Sequence, residues 1–301
     1  MLDAPPIESA PIPEAAVFEG TPIGYRVEEG FLLGKHRDAL RCEDALVIAP
    51  RIVAVVDGAT SKSDRRYDGL PGGLFAAKVL ASALTELEDT LDVEHQVDWL
   101  RLRLRDEAER ASGISYSLLS PSDRPMASMV YFLPRQRLLV SVGDCQALVR
   151  GQPLSTGKKI DAMLSWARSQ VLRQHLVKGS TVEELLALEC DPGRQYILPL
   201  LRVASYFQNS DDSEFSYAVM DGTPVPASLI QTMRVPFDAE VVLASDGYPK
   251  LFDSLSESEA FLEQALAVDP LCISELMGTK PLTRGQCSFD DRAYLRLSPD
   301  T

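Results

Sequence analysis

The sequence predicts an α+β domain in which helices cover the faces of largely antiparallel sheets. Runs of β-branched and apolar residues bounded by proline and glycine are typical of buried strands, and they cover residues 45–49, 51–56, 128–133 and 137–142. The last two runs are joined by the short Pro134-Arg135-Gln136 turn, which indicates an antiparallel hairpin. Between the two pairs of runs, apolar residues fall at helical spacing over residues 73–91 and 97–111.

The second half of the chain repeats this mixture after a helical stretch. Residues 160–206 contain helical pieces, and Thr181 with Glu184 has the spacing of a capping box. Residues 22–33 are predicted to form a short strand pair broken at Glu29-Gly30. The remaining predicted elements are strands at 146–149, 215–219, 231–235, 240–244 and 292–297, and helices at 256–268 and 271–277. The acidic, proline-rich residues 1–20 predict a disordered tail. Residues 21–301 then form a single domain, with a helical insert at about 154–223.

Composition excludes several classes of protein. The 301 residues are 45% hydrophobic, which is enough for a substantial core. The formal net charge of −14 argues against a nucleic-acid partner, because affinity for phosphate backbones rests on Lys and Arg. No apolar run reaches the ~20 residues that cross a bilayer, so no membrane association is expected. The start of the chain lacks the basic flank and apolar stretch of a secretion signal, and we expect a cytoplasmic protein.

The five cysteines are scattered and form no Cys-x-x-Cys pair. A disulfide framework or a zinc ribbon would need clustered spacing, so reduced thiols are expected. These residues are Cys42, Cys145, Cys190, Cys272 and Cys287.

Three segments deliver an aspartate where a buried strand stops, each beside a glycine. They are I-V-A-V-V-D-G ending at Asp57-Gly58, L-L-V-S-V-G-D ending at Asp144, and V-V-L-A-S-D-G ending at Asp246-Gly247. Asp-Gly is also a common hairpin turn, so a single such pair is more often a turn than a ligand site. Repetition after strongly apolar strands favours a shared function, because clustered carboxylates repel and need compensation.

The compensating charge is predicted to be a divalent cation. No matching set of Lys, Arg or His lies near these motifs in the sequence, and the chain has only three histidines, His36, His95 and His175. Ligands that are all oxygen atoms favour Mg²⁺ or Mn²⁺ over Zn²⁺.

The order of these motifs resembles the protein phosphatase 2C (PPM-type) family of metal-dependent Ser/Thr phosphatases. The matching pieces are C-E-D-A at residues 42–45, V-V-D-G-A-T at 55–60, G-G-L-F-A-A at 72–77, V-S-V-G-D-C-Q-A at 140–147, L-A-S-D-G at 243–247 and F-D-D-R at 289–292. They span about residues 40–297. The resemblance implies a four-layer αββα sandwich, in which two antiparallel sheets are flanked by helices and two Mn²⁺ or Mg²⁺ ions lie in a cleft at one end.

The resemblance also implies roles for individual residues. Asp57 corresponds to the carboxylate that bridges both metals, and Gly58 to a residue that offers its backbone carbonyl. Asp246 and Asp290 resemble the ligands of one metal. The remaining correspondences are Glu43, which resembles the acid that holds water on the other metal, Asp44, which supports it, and Asp144, which lies close to the metals and in some members helps to hold a third ion.

The sequence departs from the family pattern at two functional positions. The histidine that often follows Asp-Gly, a proposed proton donor, is Ala59 here. The phosphate-binding arginine expected four residues before Glu43 is Ala39, and Arg41 or Arg37 is a candidate substitute.

These observations favour a phosphatase of phosphoserine and phosphothreonine in proteins, opposed by a Ser/Thr kinase. One alternative is a pseudophosphatase that binds phosphoproteins without turnover, and another is a phosphatase of a small phosphorylated metabolite. The insert carries Lys158, Lys159, Arg168, Arg173 and Lys178. A substrate-selecting lid and a solvated helix face are both consistent with these charges.

Overall fold

A computed structural model describes residues 16–60, 63–154 and 157–300. Its strands are β1 (Ala16–Phe18), β2 (Tyr25–Leu33), β3 (Asp44–Ala49), β4 (Ile52–Gly58), β5 (Arg66–Tyr67), β6 (Leu70–Pro71), β7 (Ala127–Leu133), β8 (Leu138–Val142), β9 (Gln146–Val149), β10 (Gln152–Leu154), β11 (Gln231–Arg234), β12 (Val241–Ala244) and β13 (Arg292–Pro299). Its helices are α1 (Gly72–Glu86), α2 (Val93–Ser112), α3 (Lys159–Val177), α4 (Val182–Leu186), α5 (Pro192–Ala204) and α6 (Leu255–Val268).

Two large sheets form the centre of the molecule. One has the strand order β1-β3-β4-β7-β8-β11 and the other β10-β9-β12-β13-β2. All pairings within them are antiparallel except that of β1 with β3. The predicted α+β class, with two antiparallel sheets flanked by helices, is confirmed.

Both faces of the inner strands β3 and β4 of the six-stranded sheet are buried, which explains why these strands are almost continuously apolar. On β3, Val47 packs in the cluster beneath α1 and α2, whereas Leu46 packs in the cluster between the two sheets. On β4, Val56 and Val55 divide in the same way. Because successive side chains of a strand point to opposite faces, a strand between two apolar layers favours apolar residues at every position.

Helices supply the outer layers. Helix α1 contacts β3 and β4 and packs against α2 on the outer face of the six-stranded sheet. Tyr248 and Leu255, which begins α6, pack with Val242 and Tyr294 on the outer face of the five-stranded sheet. The four layers predicted from the family resemblance are therefore present, in the order helix, sheet, sheet, helix.

The stretch predicted as an insert contains α3, α4 and α5. Helices α3 and α5 share a small core that includes Leu164 and Ile197. The capping box at Thr181 is formed, since its hydroxyl accepts from Glu184 N and the Glu184 carboxylate accepts from Thr181 N. Most of the predicted tail, residues 1–15, lies outside the described residues, while residues 16–18 form β1 at the sheet edge.

The strand pair predicted over residues 22–33 is the single strand β2, which pairs with β13 across Glu29 and Gly30. Two other predicted elements are not formed. Residues 271–277 are turns rather than a helix, because the Asp269 carboxylate accepts the backbone N–H groups of Ile273, Ser274 and Leu276 at 2.6 to 3.2 Å. Residues 215–219 form no strand; Tyr217 makes an isolated bridge with Gln208, and Met220, just beyond this stretch, makes one with Ala127. In the described part of the chain, no helix is long and apolar enough to span a membrane.

Candidate metal centre

Three aspartates from three strand ends meet at one end of the sandwich. Asp57 lies near the end of β4, Asp144 lies in the turn between β8 and β9, and Asp246 follows β12. One carboxylate oxygen from each lies within 4.8 Å of the other two. We call these residues the aspartate triad. Oxygen ligands converging at this spacing suit a hard divalent cation.

The other predicted acids surround the triad. Asp44 is paired with Asp57 in the register of β3 and β4, and Glu43 precedes it. Asp290 and Asp291 precede β13, and all four of these acids are buried. The structure therefore brings every predicted acidic site residue to the same end of the sandwich, although their roles as metal ligands remain predictions.

Asp291 has a structural role that the sequence did not reveal. Its carboxylate accepts the backbone N–H of Lys35 at 2.8 Å and that of Glu43 at 2.9 Å. The start of β13 is thereby tied to the start of β3. These partners lie about 250 residues apart in the chain, so no local sequence pattern could have indicated them.

Burial and mutual repulsion make the ionised form of the central acids unfavourable. Burial raises the pKa of Asp57 well above its ordinary value, and the neighbouring charges of Asp44, Asp290 and Asp144 add to the effect. The pKa of Asp246 is raised in the same way, first by burial and then by Asp57. A bound cation would offset both causes, since it supplies opposite charge where water has been removed.

Three lysines also face this centre, which corrects the expectation that no basic residues would be found there. Lys158 Nζ lies 2.6 Å from Asp144 Oδ2. Lys35 Nζ lies 3.2 Å from Asp290 Oδ1, and Lys280 Nζ contacts Asp290 Oδ2. None of the three lysines belongs to a sequence motif that carries a site acid, and only folding brings them to the acidic centre.

The lysines reverse the pKa shifts of the two acids that they contact. Burial by itself raises the pKa of Asp290, but the charges of Lys280 and Lys35 outweigh it and the net shift is downward. Burial likewise raises the pKa of Asp144, but Lys158 and the hydrogen bond from Ser128 together outweigh it and the net shift is downward.

Charge counting still leaves a place for a divalent ion. Seven carboxyl groups face three lysine ammonium groups at this end of the sandwich. The carboxyl groups are those of Glu43, Asp44, Asp57, Asp144, Asp246, Asp290 and Asp291, and the ammonium groups are those of Lys35, Lys158 and Lys280. In addition, the buried Oδ2 of Asp44 has no hydrogen-bond partner among the residues that the structure describes. The donor set therefore fits a hard cation.

Gly58 is required by the close approach of backbone segments at the centre. A Cβ atom at this position would lie 2.6 Å from the carbonyl carbon of Gly73, at the start of α1. The Gly58 N–H donates to the carbonyl of Glu43 at 3.0 Å. A side chain here would push β4 away from both neighbours.

The candidate phosphate-binding residue, Arg41, is exposed and lines a cavity of about 560 Å³ beside Glu43. Lys35, Arg65 and Arg66 line the same cavity. Arg41 thus lies beside the acidic centre, in a cavity with other cations. A phosphate-binding role stays a prediction.

The absence of a histidine after Asp-Gly has a structural counterpart. Ala59 N donates to the carbonyl of Met126 at 3.0 Å, so this position continues the backbone pairing and its methyl group offers no proton. His36 lines the same cavity as Arg41, whereas His95 lies in the first turn of α2, where its backbone N–H donates to the N-cap residue Asp92 at 3.0 Å.

No family model and no curated protein matches the chain. Among solved structures, the chain is similar to the serine/threonine phosphatase PstP/Ppp of Mycobacterium tuberculosis, with 16% identity, a TM-score of 0.44, and coverage of 92% of this chain and 97% of that one. It is also similar to the serine/threonine phosphatase Stp1 of Staphylococcus aureus, with 16% identity, a TM-score of 0.46, and coverage of 94% and 99%. The catalytic domain of PstP in complex with two manganese ions is 15% identical, with a TM-score of 0.43 and coverage of 91% and 96%.

These neighbours are serine/threonine phosphatases, as is the PPM-type family that the motifs of this chain resemble. At such identities the likeness concerns the fold, and the roles of individual residues rest on the geometry of this chain.

Proposed function

We propose that this protein is a metal-dependent phosphatase that hydrolyses phosphoserine and phosphothreonine in proteins. The observation that carries the proposal is the aspartate triad, whose three carboxylates converge from separate strand ends to within 4.8 Å. The motif resemblance across residues 40–297 supports the same class. A cytoplasmic location and an opposing Ser/Thr kinase are part of this proposal.

Mn²⁺ or Mg²⁺ is the proposed cofactor, with Asp57, Asp144 and Asp246 as its ligands. When bound, such an ion activates water for attack on phosphorus and neutralises charge on the phosphoryl oxygens. The protein itself holds the triad in place at the ends of three strands, with its aspartates partly shielded from solvent. The carbonyl of Gly58 and the carboxylates of Glu43 and Asp44 are proposed to complete the ligand environment.

Substrate phosphate is proposed to enter beside the basic cavity. Four basic side chains line this cavity against two carboxylates, so cations outnumber acids there although the whole chain has a net charge of −14. The basic residues are Lys35, Arg41, Arg65 and Arg66, and the acids are Glu43 and Asp64. A positive cavity attracts a phosphorylated side chain and steers it towards the acidic centre.

The test is hydrolysis of an aryl phosphate with Mn²⁺ or Mg²⁺, with and without a chelator. Turnover is expected to require the ion and to fall by more than about 100-fold in Asp246→Asn, since even residues that only support ligands change activity 10–100-fold. Asp211→Asn, which changes an exposed aspartate, is the matched control and should keep its activity. Metal-independent turnover, or full activity in Asp246→Asn, would refute the proposal.

A pseudophosphatase is the second candidate, favoured by the ammonium groups of Lys158 and Lys280 among the acids and by Ala59 in place of a proton donor. It predicts binding of phosphopeptides without hydrolysis. Measuring both the binding and the hydrolysis of the same phosphopeptide separates the two candidate functions.

A further inference from the structure

Both oxygens of the Asp290 carboxylate are engaged by lysine ammonium groups. Lys35 Nζ lies 3.2 Å from Oδ1, and Lys280 Nζ contacts Oδ2. Asp290 is buried, and the side chain of Lys35 is only 13% exposed. This carboxylate therefore has its charge neutralised by the protein itself.

Lys280 is positioned by the helical insert. The guanidinium of Arg168, on α3, donates to the carbonyl of Gly278 at 3.1 Å, and Arg194, on α5, donates to the carbonyl of Thr279 at 2.8 Å. Arg168 is completely buried and also pairs with Asp191 at 2.8 Å. The two residues preceding Lys280 are thus bonded to the insert, which fixes the direction from which its side chain enters the centre.

Asp290 also lies outside the group of carboxylates that could share one ion. Within the described ranges, the group that satisfies the spacing for a common ion consists of Asp57, Asp144 and Asp246. A second divalent ion on the Asp290 side would meet the ammonium group of Lys280 at close range. Like charges a few ångströms apart in a partly buried site repel strongly.

We propose that the centre holds one divalent ion, at the aspartate triad, and that Lys280 stands at Asp290 in the place of a second ion. The inference rests on the proposed function, because it assumes that the triad binds metal. Lys280 then supplies the positive charge that neutralises Asp290, and the helical insert holds Lys280 in position.

The experiment is a Mn²⁺ titration of the full, chelator-stripped chain by calorimetry, with electron paramagnetic resonance on the loaded protein. The wild type is expected to bind one ion and to show the six-line spectrum of isolated Mn²⁺. Lys280→Met is expected to bind two ions whose spectrum is coupled, since paired metals in such sites lie about 3.5–4 Å apart. Lys280→Arg, which retains the charge, and Lys178→Met, which changes an exposed lysine directly after α3, should each bind one ion.

Two bound ions in the wild type, or one in Lys280→Met, would overturn the inference while leaving the proposed function intact. No bound ion in the wild type would instead refute the proposed function, and the inference with it. Asp290→Asn provides an independent check that does not alter Lys280. It should still bind one ion, with affinity within about threefold of the wild type, whereas complete loss of binding would show that Asp290 is a ligand.

Discussion

The ammonium group of Lys158 lies 2.6 Å from Oδ2 of Asp144, so the residue that precedes helix α3 contacts a member of the aspartate triad. The same ammonium group lies 5.1 Å from the centre of the Tyr217 ring. Lys158 was predicted only as one of several basic residues of a lid or a solvated face. Its position shows that the insert reaches the acidic centre directly.

Removing this lysine should strengthen metal binding. An ammonium group and a divalent ion compete for the same carboxylate, so Lys158→Met is expected to lower the Kd for Mn²⁺ by about tenfold, which corresponds to about 1.4 kcal/mol. Calorimetric titration measures the change. The neighbouring Lys159→Met, which removes only an exposed pair with Glu214, should leave the Kd unchanged. An unchanged or weaker affinity in Lys158→Met would show that Lys158 does not compete with the ion.

Arg168 should be one of the most sensitive residues of the insert. Its guanidinium pairs with Asp191 and donates to the carbonyls of Leu271, Cys272 and Gly278 at 3.0 to 3.1 Å. Arg168→Ala removes the ion pair of Asp191 and one hydrogen bond from each of three carbonyls, so we expect a loss of about 3–5 kcal/mol in the free energy of unfolding.

Denaturant unfolding followed by circular dichroism measures this loss. Arg173→Ala is the matched comparison on the same helix, because Arg173 is exposed and makes one such bond, to the carbonyl of Ile273 at 2.8 Å. It should cost about 1 kcal/mol. Equal effects of the two substitutions would contradict the anchoring role of Arg168.

Gly58→Ala should damage both the fold and the metal site. The added methyl group would meet backbone atoms of Gly73 and Glu43, which cannot move as the end of a flexible side chain could. We expect a loss of about 2 kcal/mol or more in the free energy of unfolding, together with weaker Mn²⁺ binding. Gly157→Ala, where a Cβ would meet no atom within 4 Å, should change stability by less than about 0.5 kcal/mol. Normal stability and metal affinity in Gly58→Ala would refute the close-approach argument.

The metal-free protein should become less stable as the pH rises from about 5 to 8. Burial first, and neighbouring carboxylates second, raise the pKa values of Asp44, Asp57 and Asp246 in the folded state. In the unfolded state these acids have ordinary pKa values near 4. At a pH between the unfolded and the folded pKa values, the folded state binds more protons than the unfolded state, so its stability falls as the pH increases.

The two acids with lowered pKa values act in the opposite direction but at lower pH. The stability that they contribute is present above about pH 4 and is lost below it, so it does not change between pH 5 and 8. Thermal unfolding across this range should show a falling Tm without metal, and a Mn²⁺-induced rise in Tm that is larger at pH 8 than at pH 6. A Tm independent of pH without metal would contradict this assignment of charge.

Local sequence determined much of the fold and the acidic half of the site. The apolar runs that end at Asp57 and Asp246 formed strands β4 and β12, since burial on both faces requires continuous β-branched and aliphatic residues. The recurrence of acids at strand ends was sufficient to predict that Asp144 would join them. In each case the information lies within about seven consecutive residues.

Only the tertiary structure determined the basic half of the site. Lys35, Lys158 and Lys280 reach the acids through loops and an insert whose sequences carry no local signal of that contact. The helix predicted at 271–277 is absent for a similar reason. The Asp269 carboxylate accepts backbone N–H groups there, and helical periodicity does not take such an interaction into account. Sequence periodicity reports which face of an element is buried, whereas pairing between charges distant in the chain depends on how loops cross the folded surface.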